Sequence, residues 1–110
     1  MPLLPSDHDH PHPAGLPGAV RFDWLAIAAA QHGKSLHLAL ALAWLASSRR
    51  ACGVSLTRRT LAQWSLSRDA SYDALRRLEA AKLIHVWRLP GRAPHVILTE
   101  PGMDTPLKLT

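Results

Sequence analysis

Arginine is the residue type with the clearest chemical meaning in this chain, and it is concentrated in one stretch. Residues 49–92 hold ten basic side chains, nine of them arginine, against three acidic ones, which gives the stretch a net charge of +7. An arginine side chain presents a planar fork of donors that matches phosphate oxygens and the edge of guanine. The stretch therefore indicates a polyanionic partner, with nucleic acid ahead of a membrane surface. The alternative is a basic, solvated surface that keeps the protein in solution.

Side chains that could do covalent or metal chemistry are few and scattered. We find no glycine-rich phosphate loop, no paired carboxylates and no nucleophile with an evident base, so an enzyme is not expected. Cys52 is the only cysteine, which excludes an internal disulfide; we interpret it as an incidental or structural thiol, with an oxidant sensor as the alternative. Histidine and aspartate alternate over residues 8–12, but no predicted element holds them in place. No metal ion or cofactor is expected.

Two helices are expected ahead of most of the arginines. Residues 22–31 are alanine-rich, and Gly33 supplies a stop signal just after them. Residues 36–49, with Ser35 as the cap before them, alternate leucine mostly with alanine. A strand has the same period of two, but the length of the run and its alanine content favour a helix.

The arginine-rich stretch predicts two further helices joined by a short turn. Thr57 is placed to cap a helix over residues 58–64, and Ser67 to cap a longer one over residues 68–81. Leu66 lies in the turn between them. Small and apolar residues recur at helical spacing in the longer helix, at Ser71, Ala74, Leu75, Leu78 and Ala81.

A β-hairpin is expected after these helices. Two β-prone runs, residues 83–89 and 95–99, flank the turn Pro90–Pro94, and Val54–Leu56 adds a short third strand. The predicted fold class is therefore mainly α with a small β-hairpin.

The segment LTRRTLAQWSLSRDASYDALRRLEAAKLI, residues 56–84, resembles the winged helix-turn-helix of MarR-type and related bacterial transcriptional regulators. The likeness is carried by the opening L-T-x-x-x-L-A, by L-S-R before the longer helix, and by the closing L-R-R-L-E-x-A-x-L-I. The turn PGRAPHVI and the block WLAIAAAQHGKSLHLALALAWLA are similar to small bacterial winged-helix proteins, some carried on mobile elements, and extend the likeness to residues 22–98. One departure is Lys82, where the family usually carries glycine. A left-handed backbone there costs lysine roughly 1 kcal/mol, so the longer helix is expected to end slightly differently.

The resemblance implies a winged helix-turn-helix preceded by two helices, with the helix over residues 68–81 as the reader in the major groove. Implied DNA contacts fall on the start of the preceding helix, on the reader helix and on the hairpin: Thr57, Arg58, Arg59, Ser67, Arg68, Asp69, Tyr72, Asp73, Arg76, Arg88 and Arg92. Of these, Arg68, Tyr72 and Arg76 are expected in the groove, and residues 57–59 at the phosphate backbone.

Three of these residues have more than one interpretation. Asp69 and Asp73 would repel phosphate, so we expect each of them either to accept a hydrogen bond from cytosine N4 or to orient Arg76. Tyr72 could contact the groove or could be an ordinary, half-buried aromatic side chain on the surface.

The four tryptophans are expected to fill the core or a subunit interface.

The helix expected over residues 36–49 is apolar on nearly every face, so it needs burial on two sides. A homodimer would supply the second side, and a self-contained monomer is the alternative. The predicted dimer contacts are Leu36, Leu38, Leu40, Leu42, Trp44 and Leu45.

The sequence thus predicts a flexible Pro/His-rich arm over residues 1–20, a winged helix-turn-helix domain over 21–99 and a flexible tail over 100–110. We expect a dimeric, sequence-specific regulator of transcription that binds double-stranded DNA at a near-palindromic operator. The alternatives are a winged-helix module that binds a protein partner, and an architectural or replication accessory role on DNA. No apolar run is long enough to span a bilayer and no signal peptide is visible, so a cytoplasmic, nucleoid-associated protein without a membrane partner is expected.

Overall fold

The computed structural model describes residues 20–108, which form four helices and three strands. In chain order these elements are α1 (Phe22–Ala29), α2 (Ser35–Arg49), β1 (Gly53–Ser55), α3 (Arg58–Gln63), α4 (Arg68–Ala80), β2 (Ile84–Trp87) and β3 (His95–Leu98). The predicted fold class, mainly α with a small hairpin, is confirmed. Helix ends differ from the predicted ones by one or two residues, as expected where helices fray. None of the helices in this range is long and apolar enough to cross a membrane.

Two of the three predicted helix caps are present. The hydroxyl oxygens of Thr57 and Ser67 each accept a hydrogen bond from the backbone N–H three residues ahead, at 3.2 and 3.1 Å. These bonds satisfy donors that the first turns of α3 and α4 leave free. The cap predicted at Ser35 is wrong. Ser35 is the first residue of α2, and its hydroxyl donates back to the carbonyl oxygen of His32 at 2.6 Å.

The three strands form an antiparallel sheet in the order β1-β3-β2. Val54 and Val86 are both paired with Val96 of the central strand, and all three side chains are buried on the helix side. Because side chains alternate along a strand, the neighbours of these valines point away from the helices. The third strand expected at Val54–Leu56 is present, displaced by one residue.

Helix α2 lies at the centre of the fold and packs against α1, α4 and β1, while α4 also packs against β2. Trp24 of α1 is completely buried, and its indole N–H donates to the carbonyl oxygen of Leu83 at 3.0 Å. This bond joins the first helix to the start of the hairpin. The core therefore includes the upstream helices as well as the arginine-rich stretch.

The central position of α2 corrects part of the predicted dimer surface. Leu38 and Leu42 are fully buried inside the chain, because α1, α4 and β1 enclose that side of α2. They cannot lie at a subunit interface of this fold, so the prediction was wrong for both. Leu36 and Leu40 keep 38% and 36% of their surface exposed. Of the remaining predicted contacts, Trp44 and Leu45 are half-buried.

Residues 100–108 pack on the domain, so the prediction of a flexible tail is wrong for them. The backbone N–H of the buried Leu107 donates to the carbonyl oxygen of Leu98 at 2.8 Å, and Arg21 forms an ion pair with Glu100 at 2.7 Å. Gly102, with φ of 75°, allows the turn that brings the segment back. Most of the predicted arm lies outside the described residues.

Among residues 20–108, three residues other than glycine have a left-handed backbone, and each follows a helix. They are Arg50 (φ 49°) after α2, Ser65 (φ 55°) after α3 and Lys82 (φ 59°) after α4. This conformation commonly ends helices and is usually occupied by glycine. Lys82 therefore adopts the left-handed backbone in spite of its side chain, at a position that glycine would fill at lower cost.

Candidate nucleic-acid interface

Helix α4 has one buried face and one exposed face. Ser71, Ala74, Leu75 and Leu78 face the core and are buried. Helical geometry places Asp69 and Arg76 on the opposite side, with Tyr72 and Asp73 flanking them. The Arg76 side chain is 73% exposed. The exposed face of α4 therefore carries an arginine and two carboxylates within two turns.

Asp73 forms two ion pairs, one with each of its oxygens. Oδ1 accepts from Arg76 Nη2 and Oδ2 accepts from Arg77 Nε, both at 2.8 Å. The hydrogen bond from Arg77, followed by that from Arg76, lowers the pKa of Asp73 below its ordinary value. The contact expected if Asp73 orients Arg76 is thus present in the free chain. The Arg77 pair was not predicted, although carboxylate and arginine four residues apart on a helix are its usual signal.

The turn between α1 and α2 lies against this ion-pair cluster. Gly33 has φ of 68°, and a Cβ there would lie 3.0 Å from Asp73 Oδ2 and 3.7 Å from Arg77 Nε. Asp73, Arg76, Arg77 and Ala80 line a shallow, open depression beside the turn. The sequence identified Gly33 only as a helix end, because nothing local shows which helix the turn will meet.

Glu79 connects the other flank of α4 to the hairpin. Its Oε2 accepts from the backbone N–H of Val86 at 3.3 Å, and its Oε1 lies 3.5 Å from Arg88 Nη1. Although both contacts are long, they hold the base of the hairpin beside α4. Glu79 was not predicted as part of the site, because its partners lie beyond the end of α4, seven and nine residues along the chain, where helical spacing gives no signal.

At the start of α4 a cation stacks on an aromatic ring. The guanidinium carbon of Arg68 lies 5.5 Å from the centre of the Tyr72 ring, a cation–π distance. Both residues are exposed, so their outer surfaces are open to a ligand. The hydroxyl of Ser67 accepts a backbone hydrogen bond as the helix cap.

Of the eleven residues predicted to contact DNA, ten are exposed and Asp73 is half-buried. On α4, Asp73 is paired with Arg76 and Arg68 stacks on Tyr72, and Glu79 connects Arg88 of the hairpin to the same helix. Within residues 20–108, no hydrogen bond or ion pair joins residues 57–59 to α4 or to the hairpin.

The charge of the region is only partly compensated. The acids at positions 73 and 79 pair with Arg76, Arg77 and Arg88. In the part of the chain that the structure describes, no ion pair involves Arg58, Arg59, Arg68 or Arg92. A net positive surface thus remains around α4 and the hairpin, which favours an anionic partner.

Across residues 20–108, no group of three or more histidine, cysteine or acidic residues could hold a metal ion. The histidine-rich segment at residues 8–12 lies outside this range.

Comparison of the chain with protein-family models, with curated proteins and with solved structures found no match. The function of the surface must therefore be inferred from the geometry of the chain itself.

Proposed function

We propose that this chain is a sequence-specific, double-stranded DNA-binding regulator of transcription, with α4 as the reader helix and the β2–β3 hairpin as the wing. The observation that carries the proposal is the exposed face of α4, where Arg76 is held outward by Asp73 and is nearly three-quarters exposed. An α-helix fits the major groove of B-form DNA, and arginine on guanine O6 and N7 is the commonest base-specific contact there.

The residues around Arg76 suit the other parts of a groove contact. Arg68 stands at the amino end of α4, where free backbone N–H groups and the helix dipole favour a phosphate. Asp69, two turns from Arg76 on the same face, can accept from the N4 amino group of cytosine. Arg88 and Arg92 extend the positive surface along the hairpin, toward the phosphates beside the groove.

The exposed apolar residues favour a second candidate, a module that binds a protein partner or a second copy of this chain. Phe22 is 83% exposed, and Leu36 and Leu40 are each more than one-third exposed on α2. A homodimer through Leu36 and Leu40 would place two reader helices on a near-palindromic site. Sedimentation equilibrium of the purified chain measures whether such a dimer forms.

The test of DNA recognition is selection of bound duplexes from a random pool, followed by binding isotherms across a salt series. We expect affinity to fall steeply with salt and to depend on sequence. Arg76→Ala should lose about 1–3 kcal/mol of discrimination at one base pair. Arg92→Ala should weaken all duplexes alike and reduce the salt slope by about one.

Arg77→Ala is the matched control, because it also removes an ion pair with Asp73 but lies on the flank covered by the α1–α2 turn. It should leave sequence preference unchanged. Binding that ignores both salt and sequence would rule out the proposal. A stoichiometric protein partner combined with no duplex binding would favour the second candidate.

A further inference from the structure

The sheet has a second surface, on the side away from the helices, that the proposed function does not use. Strand alternation places His85 and Trp87 of β2 and His95 of β3 on this outer side, and all three are exposed. We call these three residues the ring face. The His85 ring meets the Trp87 ring edge-on at 79°, with 5.4 Å between ring centres, and Trp87 is paired across the sheet with His95.

Trp87 is 55% exposed, so of the two places expected for the tryptophans, the core and a subunit interface, the core is excluded for it. The core lies on the other side of the sheet and is complete without it. The indole at the end of this edge strand is available for a ligand, since its faces carry large apolar area at little entropic cost.

The neighbouring strand leaves room for the ring of His95. A Cβ at Gly53 would lie 2.9 Å from His95 Nε2, so a larger residue there would require that ring to shift. Ser55 Oγ lies 3.4 Å from His95 Nδ1 and holds the ring from the same side. Small residues on β1 therefore let the rings of β2 and β3 form a broad surface.

The surroundings of the ring face are positive. None of the outward residues of the three strands is acidic. Arg88 and Arg92 follow Trp87 into the hairpin, and Arg49 and Arg50 are exposed just before β1, at the other end of the sheet. Aromatic rings between clusters of arginine suit a ligand that carries both flat rings and phosphates.

We propose that the ring face binds single-stranded nucleic acid, with an unpaired base stacked on Trp87 and its phosphates near the arginines of the hairpin. Bases in a duplex are already stacked on one another, so only unpaired bases offer a free face to the indole. Because α4 packs on the inner side of the sheet, the ring face and the exposed face of α4 are separate surfaces, which share only the arginines of the hairpin. The inference therefore does not depend on base recognition by α4.

The experiment uses the full chain and fluorescence anisotropy with three labelled probes at low salt: oligothymidylate of about 15 nucleotides, oligouridylate of the same length, and a selected duplex. Trp87→Leu should weaken binding of the oligomers about 5- to 100-fold, the range expected from loss of one stacked base. Trp87→Phe keeps an aromatic ring and should retain most of the affinity. The sequence preference among duplexes should be unchanged in both variants, because Trp87 lies away from the exposed face of α4, whereas Arg76→Ala should alter that preference and leave oligomer binding unchanged.

Thermal unfolding of Trp87→Leu should match that of the wild type, since the side chain is mostly exposed, and this separates lost binding from lost folding. Binding of either oligomer that depends on the aromatic ring supports the inference, and the tighter of the two identifies DNA or RNA as the natural source. Equal oligomer binding by the Leu and Phe variants would overturn it, as would no oligomer binding by the wild type. Concentration-dependent self-association that disappears only in Trp87→Leu would instead make the ring face a contact between copies.

Discussion

Lys82 offers a direct test of the way in which α4 ends. Its backbone is left-handed, with φ of 59°, and its side chain is exposed at the end of the helix. For a residue with a Cβ this conformation costs about 1–2 kcal/mol, which glycine does not incur. Glycine also has more conformational freedom in the unfolded chain, and this offsets roughly 0.5–1 kcal/mol of the stability gained by relieving the left-handed backbone. Lys82→Gly should therefore stabilise the protein by about 0.5–1 kcal/mol.

The contacts around Lys82 support this magnitude. The local hydrogen bonds are made by its backbone: the carbonyl oxygen accepts from Gly102 N at 3.1 Å and from Thr99 Oγ1 at 3.4 Å. The substitution keeps both. For a domain of this size, 1 kcal/mol corresponds to about 4–8 °C in the melting temperature, so calorimetry should show a rise of about 2–8 °C.

Lys82→Ala is the matched control, because it removes the same side chain and keeps the Cβ. It should leave the melting temperature close to that of the wild type. If the alanine variant were as stable as the glycine variant, the gain would come from the lost side chain and not from the backbone. If the glycine variant melted at or below the wild-type temperature, the left-handed backbone of Lys82 would not be destabilising the protein, and the reasoning would be refuted.

Three other predictions test the core, a cap and a carboxylate. Leu78→Ala, at a fully buried position, should lower the free energy of unfolding by about 2–5 kcal/mol, as measured by chemical denaturation. Leu89→Ala, at a position that is more than half exposed, should change the free energy of unfolding by no more than about 0.5 kcal/mol. Thr57→Ala should lower the free energy of unfolding by about 1 kcal/mol, because it removes the α3 cap. Thr57→Ser keeps a hydroxyl at this position and should retain most of the wild-type stability. The pKa of Glu100 is lowered, first by the backbone N–H of Lys108, so its stabilising effect is present at neutral pH and is lost as pH falls through the lowered pKa. Glu100→Gln should therefore have a lower melting temperature than the wild type at pH 7 and the same melting temperature in acid. A difference in melting temperature that stays constant across pH would contradict this linkage.

The ion pairs of Asp73 connect the stability of α4 to its proposed role. Asp73 holds Arg76 and Arg77 with separate oxygens, so removing the carboxylate releases both arginines at once. In Asp73→Asn we expect Arg76 to sample more orientations. Duplex affinity should then depend less on sequence while its salt dependence stays nearly the same. A variant with unchanged sequence preference would show that Arg76 needs no such support.

Much of the candidate site could be predicted from sequence because its signals are local. Caps such as Thr57 and Ser67 act on the next turn of the chain, and the spacing of Leu75 and Leu78 fixes which face of α4 is left for Arg76. The partners of Gly33 and Glu79 could not be predicted in this way. Each of these residues meets a segment that is distant in sequence or has no periodic signal.

The amino-acid sequence by itself determined the order of the elements, the capped starts of α3 and α4 and the concentration of arginine around them. Each follows from interactions within a few residues. Only the tertiary structure decided that Leu38 and Leu42 belong to the core, that residues 100–108 return to the domain, and that Trp87 remains in solvent. Apolar character shows that a side chain can be buried, but which side chains are buried depends on which elements close over them. That closure is a property of the whole fold.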